Sequence, residues 1–168
     1  MNRNFVNFRV VYDDLTDEVL RSSESFLKDH LANWFEQIDE TPAVGGLIRS
    51  LETDLDFETW QTEREASIQS MAGSGELRWP KGREARLGMQ LQLFRRIAEE
   101  TLDAFDFSRN YMGSGNDLDA QISEFTDQVF RPMARDLRRF LEERLSEASE
   151  AEVPARAHSP KSESEGIL

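Results

Sequence analysis

Histidine and cysteine are the side chains that most often carry catalysis and metal binding, and the chain is poor in both. It has two histidines, His30 and His158, and no cysteine. Thiolate zinc sites, iron–sulfur clusters, disulfides and cysteine nucleophiles are therefore excluded. A carboxylate–histidine site built on helices needs acids about one turn from the histidine, but positions 26, 27, 33 and 34 hold none. We therefore interpret His30 as a partly exposed residue beside an apolar stripe, and we predict no metal or other cofactor.

Acidic residues are plentiful, and residues 52–58 invite comparison with a calcium-binding loop. The run lacks the D-x-D-x-D-G pattern with its central glycine and distant glutamate. Asp54, Asp56 and Glu58 are instead typical of a helix start, where carboxylates interact favourably with the positive end of the helix dipole. Because any two of the many acids could converge in the fold, a carboxylate-dependent metal enzyme stays open as an alternative.

Glycine-rich stretches at 45–46, 73–75 and 113–115 do not form a nucleotide-binding pattern. None precedes a Lys-Ser/Thr pair or leads from a predicted strand into a helix. The chain also lacks G-x-S-x-G, and no serine is linked to His30 by a recognisable spacing. We interpret the glycines as loop residues and expect a non-enzymatic protein rather than an enzyme.

Arginines in the second half recur at helical spacing and could form a ridge that meets an acidic partner or a phosphate group. The alternative is that each pairs with an acid one turn away, such as Asp127 with Arg131 or Asp136 with Arg139. A polar site, if present, is expected where Arg86, Gln90, Arg109, Asn110 and Asn116 converge around residues 104–117. Tryptophan and tyrosine are enriched at interfaces. The predicted partner-binding residues are Trp79, Arg86, Arg109, Asn110, Tyr111, Asn116, Arg131, Arg135 and Arg138.

Apolar residues recur at spacings of three and four along most of the chain, which predicts amphipathic helices. Residues 4–12 also alternate like a strand, but no second strand is evident, so we favour a helix with a break at Asp13-Asp14. Further helices are predicted over about 16–38, 42–53, 57–71, 83–103 and 118–147. Residues 104–112 are expected to be further helix or a packed turn.

Local signals refine this fold. Thr41-Pro42 predicts an N-cap and first-turn proline, Pro132 should kink or split the last helix, and the wide apolar face of 83–103 predicts a central helix. Residues 148–168 are rich in Ser, Glu and Ala, with Pro154 and Pro160. The predicted fold is all-α, a single bundle of about five helices over 1–147 with a disordered acidic C-terminal tail over 148–168.

The charge is large and unevenly distributed. The 168 residues carry 20 Lys and Arg against 33 Asp and Glu, a formal net charge of −13. Residues 1–77 hold 16 acids and 6 bases, whereas residues 78–145 hold 12 of each. Direct nucleic-acid binding is therefore not expected, and cation contacts are expected in the first half. No apolar stretch approaches bilayer length and the N-terminus lacks a signal-peptide pattern. We expect a cytoplasmic protein without membrane contact.

Residues 77–145 carry a family likeness. Its residues are Trp79-Pro80, Arg86-Leu87, Leu91, Phe94-Arg95-Arg96-Ile97, Phe105-Asp106-Phe107, Asn110, Phe130-Arg131-Pro132 and Leu137-Arg138-Arg139-Phe140-Leu141-Glu142. This stretch resembles a helical region of assorted uncharacterised bacterial proteins. The resemblance implies a bacterial origin and a helical module, and it implies no activity.

The expected function is a helical interaction module, a small subunit or adaptor that binds another protein. A homodimer is plausible if the first apolar segment is left uncovered. Two alternatives of other classes stay open: an acidic nucleic-acid mimic that inhibits a DNA- or RNA-binding protein, and the carboxylate-dependent metal enzyme. Mimicry requires that the acids of residues 13–65 line one surface.

Overall fold

The computed structural model describes residues 3–69, 77–112 and 117–166, with side chains over 7–67, 77–111 and 117–148. Within these ranges every regular element is helical, which confirms the all-α prediction. The elements are α1 (Arg3–Leu20), α2 (Leu27–Glu40), α3 (Val44–Glu52), α4 (Phe57–Gln69), α5 (Arg83–Ala98), α6 (Ala104–Met112), α7 (Leu118–Phe125), a π-helical turn (Thr126–Phe130) and α8 (Arg131–Gly166). Because α7, the π-helical turn and α8 are continuous, the described residues form seven helical segments rather than about five.

A continuous series of aromatic rings forms the centre of the core and joins six of these elements. Neighbouring ring centroids lie between 4.7 and 5.9 Å apart, in the tilted and edge-to-face arrangements that aromatic pairs prefer. In order, the rings are Phe8 and Tyr12 of α1, Trp34 of α2, Phe130 of the π-helical turn, Phe94 of α5, Phe125 of α7, and Phe107 and Tyr111 of α6.

The most deeply buried polar atoms of the aromatic series, on Tyr12 and Trp34, both have hydrogen-bond partners. The Tyr12 hydroxyl donates to the carbonyl of Ala134 on α8, and the Trp34 indole N–H donates to Thr16 Oγ1 at 3.1 Å. Burial raises the pKa of Tyr12 well above its ordinary value, so the hydroxyl keeps its proton and remains a donor. These bonds hold α1 against α2 and α8.

The π-helical turn brings two phenylalanines onto one side of a continuous helix. In a regular α-helix, residues five apart differ in direction by about 140°. Here the Arg131 N–H donates to the carbonyl of Thr126, five residues back. Phe125 and Phe130 are both fully buried and lie 5.5 and 5.1 Å from Phe94, centroid to centroid. Five residues thus span the turn that four span in an α-helix.

Pro132 explains why the helix contains such a turn. Proline has no N–H, and in a regular helix its ring collides with the carbonyl four residues back. Widening the turn just before Pro132 relieves that conflict without ending the helix. The sequence predicted a kink or a split, and the structure accommodates the proline with a π-helical turn instead.

α5 is the central helix, as predicted, and it packs closely against its neighbours. Its buried residues include Leu87, Leu91, Leu93 and Phe94, and it contacts α2, α3, α4 and α8. A Cβ on Gly88 would collide with the carbonyl of Leu51 on α3, so only glycine allows this approach. Gly45 and Gly46 lie inside α3, so their interpretation as loop residues is wrong, and a Cβ on Gly45 would collide with the Asp39 carbonyl of α2.

Several predicted boundaries are wrong for local reasons. α1 continues through Asp13-Asp14, and the break falls instead at residues 21–26, where Ser22, Ser23 and Ser25 weaken the helix. Thr41 does not cap α3: its hydroxyl donates back to the Gln37 carbonyl at the end of α2, and α3 begins at Val44. The helix predicted over 83–103 ends at Ala98, and α6 is a separate helix.

Residues 148–166 differ from the prediction of disorder. The structure continues α8 as helix to Gly166. This stretch is rich in alanine and glutamate, which have high helix propensity. Pro154 and Pro160 lie inside this stretch and are the residues that oppose a regular helix there.

We expect a Pro132→Ala variant that also lacks Gln128 to fold. Deleting one residue makes Phe125 and Phe130 an i,i+4 pair on a regular helix, and the alanine that replaces Pro132 supplies the missing N–H, so both rings still face Phe94. Urea unfolding followed by circular dichroism should show one cooperative transition.

The matched control deletes Arg135 in the same Pro132→Ala background. Arg135 is exposed, like Gln128, but it lies in regular helix, so its loss rotates Leu137 and Phe140 by about 100° relative to Phe130. This control should lose the cooperative transition, and equal behaviour of the two deletions would contradict the role assigned to the turn.

Candidate functional site

An open groove of about 350 Å³ lies where the start of α2, the α5–α6 connection and α7 meet. Its floor is apolar and belongs to the core: Leu27, Ile97, Ala104 and Ile122 are each no more than 9 % exposed. Half-buried Leu102 and Phe105 extend this apolar surface toward the opening. The rim is polar, and its residues are Glu24, Ser25, Lys28, Glu100 and Asp103.

One exposed ion pair crosses the groove. Lys28 Nζ lies 2.6 Å from Glu100 Oε1, and the two side chains are 45 % and 67 % exposed. Their hydrogen bond lowers the pKa of Glu100 and raises the pKa of Lys28, so both are charged near neutral pH. Because both groups are accessible to water, the pair can exchange for other partners at little cost.

The backbone that carries Glu100 has the geometry usually reserved for glycine. α5 ends with two hydrogen bonds, from Glu100 N–H to the Ile97 carbonyl at 3.2 Å and from Thr101 N–H to the Arg96 carbonyl at 2.9 Å. This is the Schellman arrangement, whose left-handed residue is most often glycine. Glu100 occupies that position with a φ of 64°. The left-handed backbone is strained at this non-glycine residue, and it places the Glu100 carboxylate at the groove.

Two exposed apolar residues lie close in sequence to residues that line the groove. Phe26 lies between the lining residues Ser25 and Leu27, and Leu118 lies one turn before the lining residue Ile122. They are 57 % and 49 % exposed. A hydrogen bond of 2.9 Å from the Glu24 N–H to Asp119 Oδ1 holds the α1–α2 connection to the start of α7. The Phe26 ring stacks on His30, with the ring centroids 6.3 Å apart, and His30 is not a lining residue of the groove.

Most of the predicted arginine ridge is neutralised within the fold. Arg131 pairs with Asp127 at 2.6 Å, as the alternative interpretation predicted. Arg138 reaches Asp13 on α1 at 2.9 Å and also lies 3.7 Å from Glu142, one turn on. Asp136 lies near Arg86 of α5 and its neighbour Arg135, at 3.4 and 3.6 Å, rather than pairing with Arg139 as predicted. Arg86 and Arg138 thus connect helices, whereas Arg131 and Arg135 pair within their own continuous helix.

The other predicted site residues are distributed over several elements. Trp79 is half-buried and stacks on Trp60 at 4.8 Å. Arg109 and Asn110 are exposed on α6, where Arg109 lies 3.7 Å from Asp106. Tyr111 is half-buried, and burial, with a contribution from nearby Glu65, raises its pKa to about 12. Asn116 lies outside the described residues. Arg86 pairs with Asp136 on α8, and Arg109 pairs with Asp106 on its own helix α6, so these two arginines do not share an ion-pair partner.

His30 has a serine partner that sequence reasoning missed. Ser22 Oγ lies 2.6 Å from His30 Nδ1 and also donates to the Glu18 carbonyl at 2.9 Å. Because the one hydroxyl proton goes to that carbonyl, His30 Nδ1 is the donor to Ser22, which fixes the tautomer. The pair joins the residues that follow α1 to α2.

Arg95 forms a partly buried charge cluster that holds three helices together. It bonds Asp39 at the end of α2 and Glu52 at the end of α3, both with a closest distance of 2.9 Å, and its guanidinium lies 4.3 Å from the centroid of the Phe35 ring. Burial alone would lower the pKa of Arg95, but its hydrogen bonds to the two carboxylates raise it. Burial raises the pKa of Glu52, and Arg95 opposes that rise.

Two further classes of site are absent from the part of the chain that the structure describes. No group of three His, Cys, Asp or Glu side chains there is arranged to hold a metal ion. None of the helices found there combines the length and the apolar character that crossing a membrane requires. The groove is therefore the strongest candidate for a binding surface.

We expect Arg95→Ala to lower the free energy of unfolding by about 3 kcal/mol, because it leaves two partly buried carboxylates without their cation. The loss should shrink as the pH falls from about 7 to about 5, because the folded state of the variant then binds protons on Glu52 more readily than the unfolded state. Urea unfolding at several pH values measures both effects.

The matched control is Arg9→Ala, which removes an exposed arginine that lies 3.4 Å from Glu142. Its cost should be no more than about 1 kcal/mol. Equal losses for the two variants would contradict the structural role of Arg95.

Comparison with known proteins gives one partial similarity. Over 92 residues, 55 % of its length, the chain is 28 % identical to an uncharacterised protein, YuaY, of Escherichia coli (strain K12). The match covers 30 % of that protein. No family model matches the chain, and no solved structure matches it. The chain is thus similar, over part of its length, to an uncharacterised bacterial protein, in line with the resemblance found in the sequence.

Proposed function

We propose that the chain is a non-enzymatic helical module that binds another protein through the groove between α2, the α5–α6 connection and α7. The observation that carries this proposal is the open groove, in which half-buried Leu102 and Phe105 expose apolar surface over the hydrophobic core. A surface of this kind gains free energy when a partner side chain covers it.

The rigidity of the surroundings favours binding over catalysis. The groove is bordered by the ends of packed helices, its rim carries one exposed ion pair, and the described residues hold no group of three His, Cys, Asp or Glu side chains that could bind a metal ion. A preformed apolar surface binds without a large ordering cost. The predicted role of a small subunit or adaptor is consistent with these properties.

Acidic mimicry of a nucleic acid finds less support. Several of the carboxylates that would have to imitate phosphates are engaged by arginines inside the fold, Asp13 by Arg138, and Asp39 and Glu52 by Arg95. Those acids are neutralised and lie on three different helices. Mimicry and the homodimer stay predictions, and exposed Val10 and Val11 on α1 mark a second surface where a homodimer could form.

We expect a photo-crosslinking amino acid at Ser25 to form an adduct with another protein in the native cells. Ser25 is exposed and lines the groove, so a bound partner lies within reach of it. Mass spectrometry of the irradiated, purified complexes identifies the adduct.

The control places the same amino acid at Ser50, which is exposed on α3. Adducts at position 25 and not at position 50 support the proposal. Absence of an adduct at 25, or the same set of adducts at both positions, argues against it. A product that contains only two copies of the chain would assign the groove to a homodimer instead.

A further inference from the structure

We infer that the groove receives a basic segment of a partner protein, in which one large apolar side chain is flanked by lysine or arginine. This inference rests on the proposed function and specifies the chemistry of the partner. Two observations carry it: the apolar floor and the sign of the charges around it.

The apolar part of the site suits a side chain rather than a polar group. Half-buried Leu102 and Phe105 offer hydrocarbon at the surface of the groove, and the core residues Leu27, Ile97 and Ile122 lie beneath them. A volume of about 350 Å³ is at the lower end of the range for small-molecule sites. A leucine or aromatic side chain can therefore enter and cover the floor.

The rim is acidic. Among the described residues that line the groove, Glu24, Glu100 and Asp103 stand against a single cation, Lys28. Asp103 Oδ1 also accepts the backbone N–H of Asp106, which fixes this carboxylate at the start of α6. An acidic rim around an apolar floor attracts a cationic segment and repels an anionic one, so it selects the partner by charge.

Lys28 occupies the place that a partner's cation would take. It bonds Glu100 Oε1 at 2.6 Å, and both side chains are well exposed. A lysine or arginine of the partner can replace Lys28 at this carboxylate, because an exposed pair is worth little. Lys28 therefore acts as a competitor, and removing it should strengthen binding rather than weaken it.

Glu100 allows binding to be separated from folding. Its left-handed backbone would be relieved by glycine, so Glu100→Gly removes the carboxylate without loss of stability. Asp54 is a matched position: it is also an exposed acid with positive φ, at 68°, but it follows α3 and lies outside the groove lining. Both substitutions remove one negative charge and relieve the same kind of strain.

The test measures binding of a short amphipathic peptide with leucine and phenylalanine on one face and lysine on the other. The peptide is titrated into the full chain by fluorescence anisotropy. A twin peptide that carries glutamate in place of lysine is titrated in the same way. We expect the lysine peptide to bind and the glutamate peptide to bind at least about tenfold more weakly.

Two pairs of variants locate the effect. Glu100→Gly should weaken the lysine peptide about fivefold, and Asp54→Gly should leave its affinity within about twofold. Lys28→Gln should strengthen binding, whereas Lys81→Gln, which removes an exposed lysine outside the groove lining, should not. Each pair changes the net charge equally, so a general electrostatic effect would move both members alike.

The outcomes distinguish this inference from the proposed function. If the lysine peptide fails to bind, if the glutamate peptide binds equally well, or if the members of each pair behave alike, the basic partner is overturned. Adducts at Ser25 in cells would then still support a groove that binds a protein of other chemistry. Absence of those adducts would remove the proposed function itself.

Discussion

The position of Phe94 between Phe125 and Phe130 is the constraint on which the rest of the structure depends. These two rings come from one continuous helix, yet they stand five residues apart and both face α5. Phe130 continues the aromatic series to Trp34 and α1, and Phe125 continues it to Phe107 and α6. A regular α-helix would turn one ring away. The π-helical turn therefore keeps the aromatic series continuous from Trp34 and α1 at one end to Phe107 and α6 at the other.

The groove follows from that arrangement. Phe107 packs on Phe125 and so fixes α6 beside α7, while Trp34 fixes α2 on the other side. The α5–α6 connection must then cross between α2 and α7, and the core residues Ile97 and Ile122 lie beneath it. An apolar floor remains open there because the connection is short and turns sharply at Glu100, whose left-handed backbone is fixed by two hydrogen bonds.

Periodic features were predictable from the sequence, and contacts between distant residues were not. The stripe Leu27, Leu31, Trp34, Phe35 and Ile38 predicts the buried face of α2, because helical spacing alone determines it. In the sequence, only Pro132 indicates the π-helical turn. Nothing indicates the left-handed backbone at Glu100, because the residue there is not glycine. The bond between Arg138 and Asp13 joins residues 125 positions apart, which no local pattern indicates. The groove is missed for the same reason.

The net charge of the chain does not predict the charge of a local surface, because ion pairs form between the two segments of the sequence. Arginines of the neutral segment 78–145 pair with acids of the acidic segment 1–77: Arg95 with Asp39 and Glu52, and Arg138 with Asp13. Two arginines of residues 78–145 thus neutralise three acids of residues 1–77. Glu100 and Asp103 belong to the neutral segment 78–145, yet they make the groove acidic together with Glu24. Local charge depends on which helices meet, so a cationic partner is expected at a site built from both halves.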